Sequence, residues 1–335
     1  MLFQPAIIAL LMAAGVAVIM LAAAAPFAVR VIRHWDIRSG AERQLGLERQ
    51  TYLFSTLLSF VFVAQLGALL LFVFNADRLS AMFVGAMCAV GTLNVNGYGF
   101  PSLITQMVVF FFAAMWLAIN HVDTRAPDYP LVRIKYALLL VLLPLLIVSF
   151  WLELQYFLGL KANVITSCCG SLFSEEATTI ASEASAMAAQ PAIFLFYGTM
   201  TLTIANALWH WRRPSRTGGY LLAASSAAGF IVAIVGVLSF ISLYIYEHPH
   251  HHCPFCILKP EYSYQGYWLY VPLFTGTAAG LGAGALQAFA QVRSLQAIVP
   301  AVSGRLAGLA AAGYILFTAL ATWFVLASNL ILIEH

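Results

Sequence analysis

The chain has 335 residues, of which 62% are hydrophobic and only 9% charged, with a formal net charge of +3. Soluble domains carry about a quarter charged residues, so a water-facing surface for a chain of this size is excluded. Intrinsic disorder fails on hydropathy, and a collagen-like fibre fails because the Gly and Pro residues follow no repeat. An integral membrane protein remains.

Crossing a hydrocarbon core of roughly 30 Å takes about 20 apolar residues in a helix. Eight such runs occur, at approximately 6–29, 52–75, 101–121, 134–159, 190–211, 219–246, 266–291 and 306–333. Each is expected to be helical because lipid offers no partner for open backbone groups, and none alternates as a barrel strand does. The expected fold is all-α: a single polytopic membrane domain of about eight transmembrane helices.

The connections alternate in basic content. Arg30, Arg33, Arg38, Arg43, Arg49, Arg125, Arg133, Lys135, Arg212, Arg213, Arg216, Arg293 and Arg305 fall on one set, and Arg78, Lys161 and Lys259 on the other. This positive-inside partition puts the first set in the cytoplasm and both termini outside, in what is expected to be a bacterial inner membrane. The first run ends in Ala22–Ala25, a small-residue stretch of the kind that closes a signal peptide. No basic residue precedes it, however, and the arginines follow it, so an uncleaved helix is expected.

The eight runs divide into two sets of four. In each set the connection between the second and third runs carries cysteine and ends in Gly and aromatic residues, which suggests a pseudo-repeat of 1–160 and 188–335. Gly276, Gly280 and Gly284 recur every four residues on the seventh run, a spacing that lets helices approach closely within the chain.

All five cysteines, Cys88, Cys168, Cys169, Cys253 and Cys256, fall in the three connections assigned to the outside. Small apolar fillers would scatter through the spans, so the segregation points to chemistry in an oxidising compartment. Cys253-Pro254-Phe255-Cys256 can close a reducible disulfide or offer two sulfur ligands to a metal. His248, His250, His251 and His252 precede it and can lower thiol pKa values when protonated or ligate a metal when neutral. The Cys168–Cys169 pair is vicinal. One arrangement joins Cys88 to Cys168 or Cys169 and Cys253 to Cys256, and it leaves an odd thiol that a purely structural framework does not need.

The motif and its loops resemble, in their chemistry, the bacterial membrane disulfide oxidases and the vitamin K epoxide reductase family. Those families place a CxxC and a second cysteine pair at the outer face of a helical bundle beside a quinone. The likeness covers only Cys253–Cys256 and the cysteine-bearing loops, and a vicinal second pair and an extra Cys88 depart from it. It is an analogy of chemistry rather than membership.

Glu153 stands inside the fourth run, where a carboxyl can carry a proton or ligate an ion, or else snorkel outward to the interface. His34, His121 and His210 lie at the cytoplasmic ends of helices among Trp and Arg, and are expected to act as interfacial anchors. The apolar stretch around Gly91–Gly97 is expected to fold as a short re-entrant piece that lays Cys88 against the bundle.

The leading expectation is thiol-disulfide exchange at the outer face, linked to a quinone, with Cys253 and Cys256 as the exchanging pair. Cys168 and Cys169 are then a second relay, Cys88 a partner or resolving thiol and Glu153 a proton carrier. The first alternative is a Cu or Zn site or transport module using Cys253, Cys256 and the four histidines. The second is a non-catalytic subunit braced by structural disulfides. Expected partners are the lipid bilayer and an extracytoplasmic thiol protein or partner subunit. No motif supports nucleic-acid binding, since topology accounts for the basic residues.

Overall fold

The computed structural model describes residues 3–161 and 189–330. Among them every regular element is helical: α1 (Pro5–His34), α2 (Glu42–Leu79), a short α3 (Ala89–Leu93), α4 (Gly99–Asp123), α5 (Val132–Leu158), α6 (Ala189–Arg212), α7 (Arg216–Tyr246), α8 (Gln265–Gln287) and α9 (Ile298–Ala327). Eight of these, all but α3, are long and apolar enough to cross a membrane. The described residues are therefore all-helical, with the spans of an integral membrane protein. Its helices outrun the apolar stretches where polar residues favour helix: α2 begins at Glu42, and α9 begins at Ile298 and runs through Arg305. Glu, Arg and Gln interrupt hydropathy without interrupting helix propensity.

Two units divide the described chain. The first is drawn from residues up to Asn75, from Asn96–Lys161 and from Ala288–Pro300. In it α5 packs against α1 and α4. The buried positions of α1 are Ile7, Leu10, Ala14, Ala17, Leu21, Ala24, Ala28 and Val31, joined by Phe27. Apart from Phe27 they step by three and four in turn, the seam spacing of coiled-coil packing, and four alanines let the neighbouring backbone come close. α5 repeats the spacing with Val132, Lys135, Leu139, Leu142, Leu146, Ser149, Glu153 and Tyr156. Two ionisable side chains therefore lie on a buried seam. Glu153 does not snorkel outward: it is 3% exposed, and its Oε1 has no hydrogen-bond partner.

Lys135, which the charge partition treats as a loop cation, is fully buried. Its Nζ lies 2.8 Å from Asp123 Oδ2 and donates to Asn120 Oδ1 at 3.0 Å. Asp123 Oδ1 accepts from the Leu131 N–H at 2.7 Å, and the Trp116 indole donates to Lys135 O at 2.9 Å. This ion pair closes the turn between α4 and α5.

The second unit contains Ala76–Val95, α6, α7, α8 and residues from Ala301 onward. α7 packs against α6 and α8, around a core that includes Phe196, Met200, Phe240, Leu273 and Tyr314. Here the glycine spacing has its use. A Cβ on Gly280 would lie 2.0 Å from Ser226 Oγ, and one on Gly284 would lie 2.3 Å from Ala223 Cβ. Gly276 instead meets the α9 backbone, 3.4 Å from Ala310 O. The stripe thus joins helices of this chain. Gly284→Leu is expected to destabilise by about 1–3 kcal/mol or more through overpacking, read as a lowered thermal midpoint in detergent. Gly198→Ala, where a Cβ meets nothing within 4 Å, should leave the midpoint unchanged.

His210 is not an interfacial anchor but a buried connector. Its Nε2 lies 3.2 Å from Ser303 Oγ, and its Nδ1 accepts from the Ser215 N–H. Nδ1 is therefore the unprotonated nitrogen, which leaves Nε2–H to donate to the serine.

Candidate functional site: a three-cysteine cluster

Cys88, Cys253 and Cys256 converge in the second unit, with their Sγ atoms all within 4.8 Å of one another. Cys88 Sγ and Cys253 Sγ are 3.4 Å apart, a thiol–thiol hydrogen-bond distance well beyond the roughly 2.05 Å of a disulfide. Cys88 and Cys253 are 0% exposed and Cys256 is 5% exposed, which makes Cys256 the outermost of the three. The expected Cys253–Cys256 bridge is not formed.

Local structure explains the convergence. After α2 the chain makes a single 3-10 turn, Ser80–Met82, and Cys88 then precedes α3, all five residues of which are buried. The apolar stretch after Cys88 thus forms the short inserted piece that its composition suggests. Asp77 accepts a hydrogen bond from the Ala89 N–H and so places a carboxylate at the start of that helix. On the other side, α7 contains a π-turn, Val237–Ile241. A π-turn displaces carbonyls from the regular ladder, and His252 Nδ1 lies 2.8 Å from one of them, Leu238 O. A carbonyl only accepts, so Nδ1 carries the proton and His252 is tied down immediately before Cys253.

Two tyrosines hold the motif itself. The Tyr246 hydroxyl donates to Cys253 O, and the Tyr270 hydroxyl donates to Pro254 O at 2.7 Å. Cys256 opens a 3-10 turn, Cys256–Leu258, against which the start of α8 packs so closely that a Cβ on Gly266 would lie 2.7 Å from Leu258 Cδ2. Lys259 Nζ donates to Met87 O at 2.6 Å and ties the two cysteine loops together. The Tyr262 phenol is pushed above its ordinary value by burial first, and further by its neighbours Cys256, Glu261 and Cys253. Tyr246→Phe and Tyr270→Phe should each cost about 1 kcal/mol and speed alkylation of Cys253 by an uncharged maleimide, since each frees one carbonyl of the motif. An unchanged alkylation rate would show that the loop is held by other contacts.

Among the described residues, no histidine or carboxylate joins the three sulfurs. His251 stacks on Tyr246 with ring centroids 4.1 Å apart, and His248 Nδ1 accepts from the His250 N–H at 3.2 Å. Cys168 and Cys169 lie outside the described residues. Glu153 belongs to the first unit. Sequence reasoning missed Asp123, because it sits in a segment that reads as a polar turn. It also missed Tyr246 and Tyr270, which read as ordinary interfacial aromatics.

No protein family, curated protein or solved structure matches the chain.

Proposed function

We propose that this protein carries out thiol-disulfide exchange through Cys88, Cys253 and Cys256 at the extracytoplasmic face of a bacterial inner membrane. The observation that carries the reading is the 3.4 Å approach of Cys88 Sγ to Cys253 Sγ beside a third sulfur. Oxidation of the Cys253/Cys256 dithiol releases two electrons and two protons, which convert a disulfide of an extracytoplasmic partner protein to two thiols, or a membrane quinone to its quinol. In the opposite direction a partner disulfide is made from two partner thiols. Within the cluster, the Cys88 thiolate attacks Cys253 Sγ and breaks the Cys253–Cys256 bond. The released Cys256 thiolate takes up a proton. Cys256, the outermost sulfur, meets the partner. In this scheme Cys168 and Cys169 form the second relay pair and Glu153 carries protons. The charge partition and the odd cysteine count support the assignment.

Differential alkylation with mass mapping across glutathione buffers of graded potential tests it. Two of the three cysteines should switch together between thiol and disulfide at one midpoint. If all three stay unchanged across the series, the reading fails.

One observation favours a second reading. Sulfurs all within 4.8 Å of one another match the edge of a metal–thiolate site, where ligands at about 2.3 Å from a tetrahedral ion are themselves just under 4 Å apart. Buried thiolates suit Cu(I) or Zn(II). Stoichiometric metal in protein purified without chelator, lost in Cys253→Ser, would favour this reading over exchange.

A further inference from the structure

The turn between α6 and α7 carries Arg212, Arg213 and Arg216, all exposed. Packing brings a fourth arginine to it. His210 Nε2 lies 3.2 Å from Ser303 Oγ, a Cβ on Gly304 would lie 3.4 Å from Pro214 Cγ, and one on Gly308 would lie 3.2 Å from Trp211 Nε1. The start of α9 is thus fastened against the turn, and Arg305, next to Gly304 and likewise exposed, stands beside it. All of these residues belong to the second unit.

Topology asks for cations at such a turn but is indifferent to carboxylates beside them. In the first unit Asp36, Glu42, Glu48 and Asp128 are interspersed with the basic residues of the turns. The second unit differs. Its described acidic residues, Asp77, Glu247 and Glu261, lie at the cysteine end: Asp77 accepts from the Ala89 N–H, Glu247 directly follows α7, and Glu261 follows the turn that Cys256 opens. The 31 residues of α7, roughly 45 Å of helix, separate Glu247 from Arg216. Among the described residues none of the four arginines takes part in an ion pair. Four uncompensated guanidiniums gathered at one helix turn repel one another and attract an anion. The surroundings indicate which. Trp209 and Trp211, 52% and 53% exposed in the last turn of α6, mark the boundary between hydrocarbon and water, which is the depth of lipid phosphates. The Arg216 guanidinium lies 6.0 Å from the centroid of the Tyr220 ring, itself 43% exposed one turn into α7.

We infer that this patch binds the headgroup of an anionic phospholipid. The planar guanidiniums of Arg212, Arg213, Arg216 and Arg305 donate to the phosphodiester oxygens, for which their paired N–H groups are matched, and the acyl chains run along the exposed faces of Trp209 and Trp211. This is a lipid site alone. It lies at the opposite end of α7 from the cysteines and does not rest on their chemistry.

The test is native mass spectrometry of the full-length protein in a neutral detergent, titrated with equal amounts of dioleoylphosphatidylglycerol and dioleoylphosphatidylcholine. Phosphatidylglycerol should be retained in preference. The triple variant Arg212→Gln, Arg213→Gln, Arg305→Gln should weaken its binding by at least about tenfold, since each arginine near an anionic headgroup accounts for about fivefold. The triple variant Arg212→Lys, Arg213→Lys, Arg305→Lys keeps the charge that directs insertion and should bind between the two. Arg43→Gln with Arg49→Gln, in the first unit, should leave retention unchanged. Thermal midpoints without added lipid should agree among all of these, because the substituted side chains are exposed. Four results would overturn the site: equal retention of the two lipids, unchanged affinity in the Gln triple variant, an equal loss in the Arg43/Arg49 variant, or displacement of the lipid by inorganic phosphate, which would make the patch a soluble-anion site.

Discussion

Cys253→Ser is expected to abolish the proposed exchange. In the proposed scheme Cys253 is the sulfur that both others need: it bonds Cys256 in the oxidised dithiol and receives the Cys88 thiolate, whose sulfur lies 3.4 Å away. Its loss should cut the rate of disulfide exchange with a model dithiol by at least about a hundredfold, as expected for a covalent nucleophile. Cys88→Ser should behave differently. The Cys253/Cys256 dithiol can still be oxidised once, so the first turnover survives while onward transfer stops and oxidised protein accumulates. Equal, mild effects of all three serine variants would reduce the cysteines to packing.

Lys135→Met should give the largest loss of stability of any single substitution considered. It leaves Asp123 fully buried with no cation, and breaking a buried pair in this way costs about 3–5 kcal/mol. The pair with Asp123→Leu should recover much of that loss, because replacing both charges by apolar groups removes the desolvation cost together with the attraction. Thermal melts of the three variants in one detergent check this. A double variant no better than Lys135→Met would show that the ion pair holds the α4–α5 turn by more than charge balance. Glu153→Leu is expected to act the other way, adding about 1–3 kcal/mol of stability and raising the midpoint, since it replaces a seam carboxyl whose Oε1 is unsatisfied.

Hydropathy revealed the eight spans because lipid imposes a length and a composition on any helix that crosses it. The ends were less legible: α2 and α9 continue through charged residues, and charge stops an apolar run without stopping a helix. The glycine stripe on α8 could be read directly, since only a missing side chain allows Gly280 and Gly284 so near α7. Of the cluster, the CxxC was visible as a motif, and Cys88 only as an unexplained odd thiol. Its meeting with Cys253, 165 residues later, depends on the packing of α3 and on the ties from Lys259, Tyr246 and Tyr270. Among the described residues none of the four histidines joins the sulfur cluster: His251 lies against the Tyr246 ring and His252 is taken up by a π-turn carbonyl. Lys135 was hidden by its neighbours: among arginines it reads as a loop cation, and only the three-four spacing of α5 would have placed it on the buried seam.

The most direct test is mild oxidation of the Cys256→Ser variant in membranes, followed by non-reducing peptide mapping. If Cys88 and Cys253 form one redox centre, the dominant new species is a Cys88–Cys253 cross-linked peptide, formed at a single stoichiometric step. If Cys253 stays alkylatable, or pairs with Cys168 or Cys169 while Cys88 remains unmodified, the two sulfurs do not act together and the account is wrong.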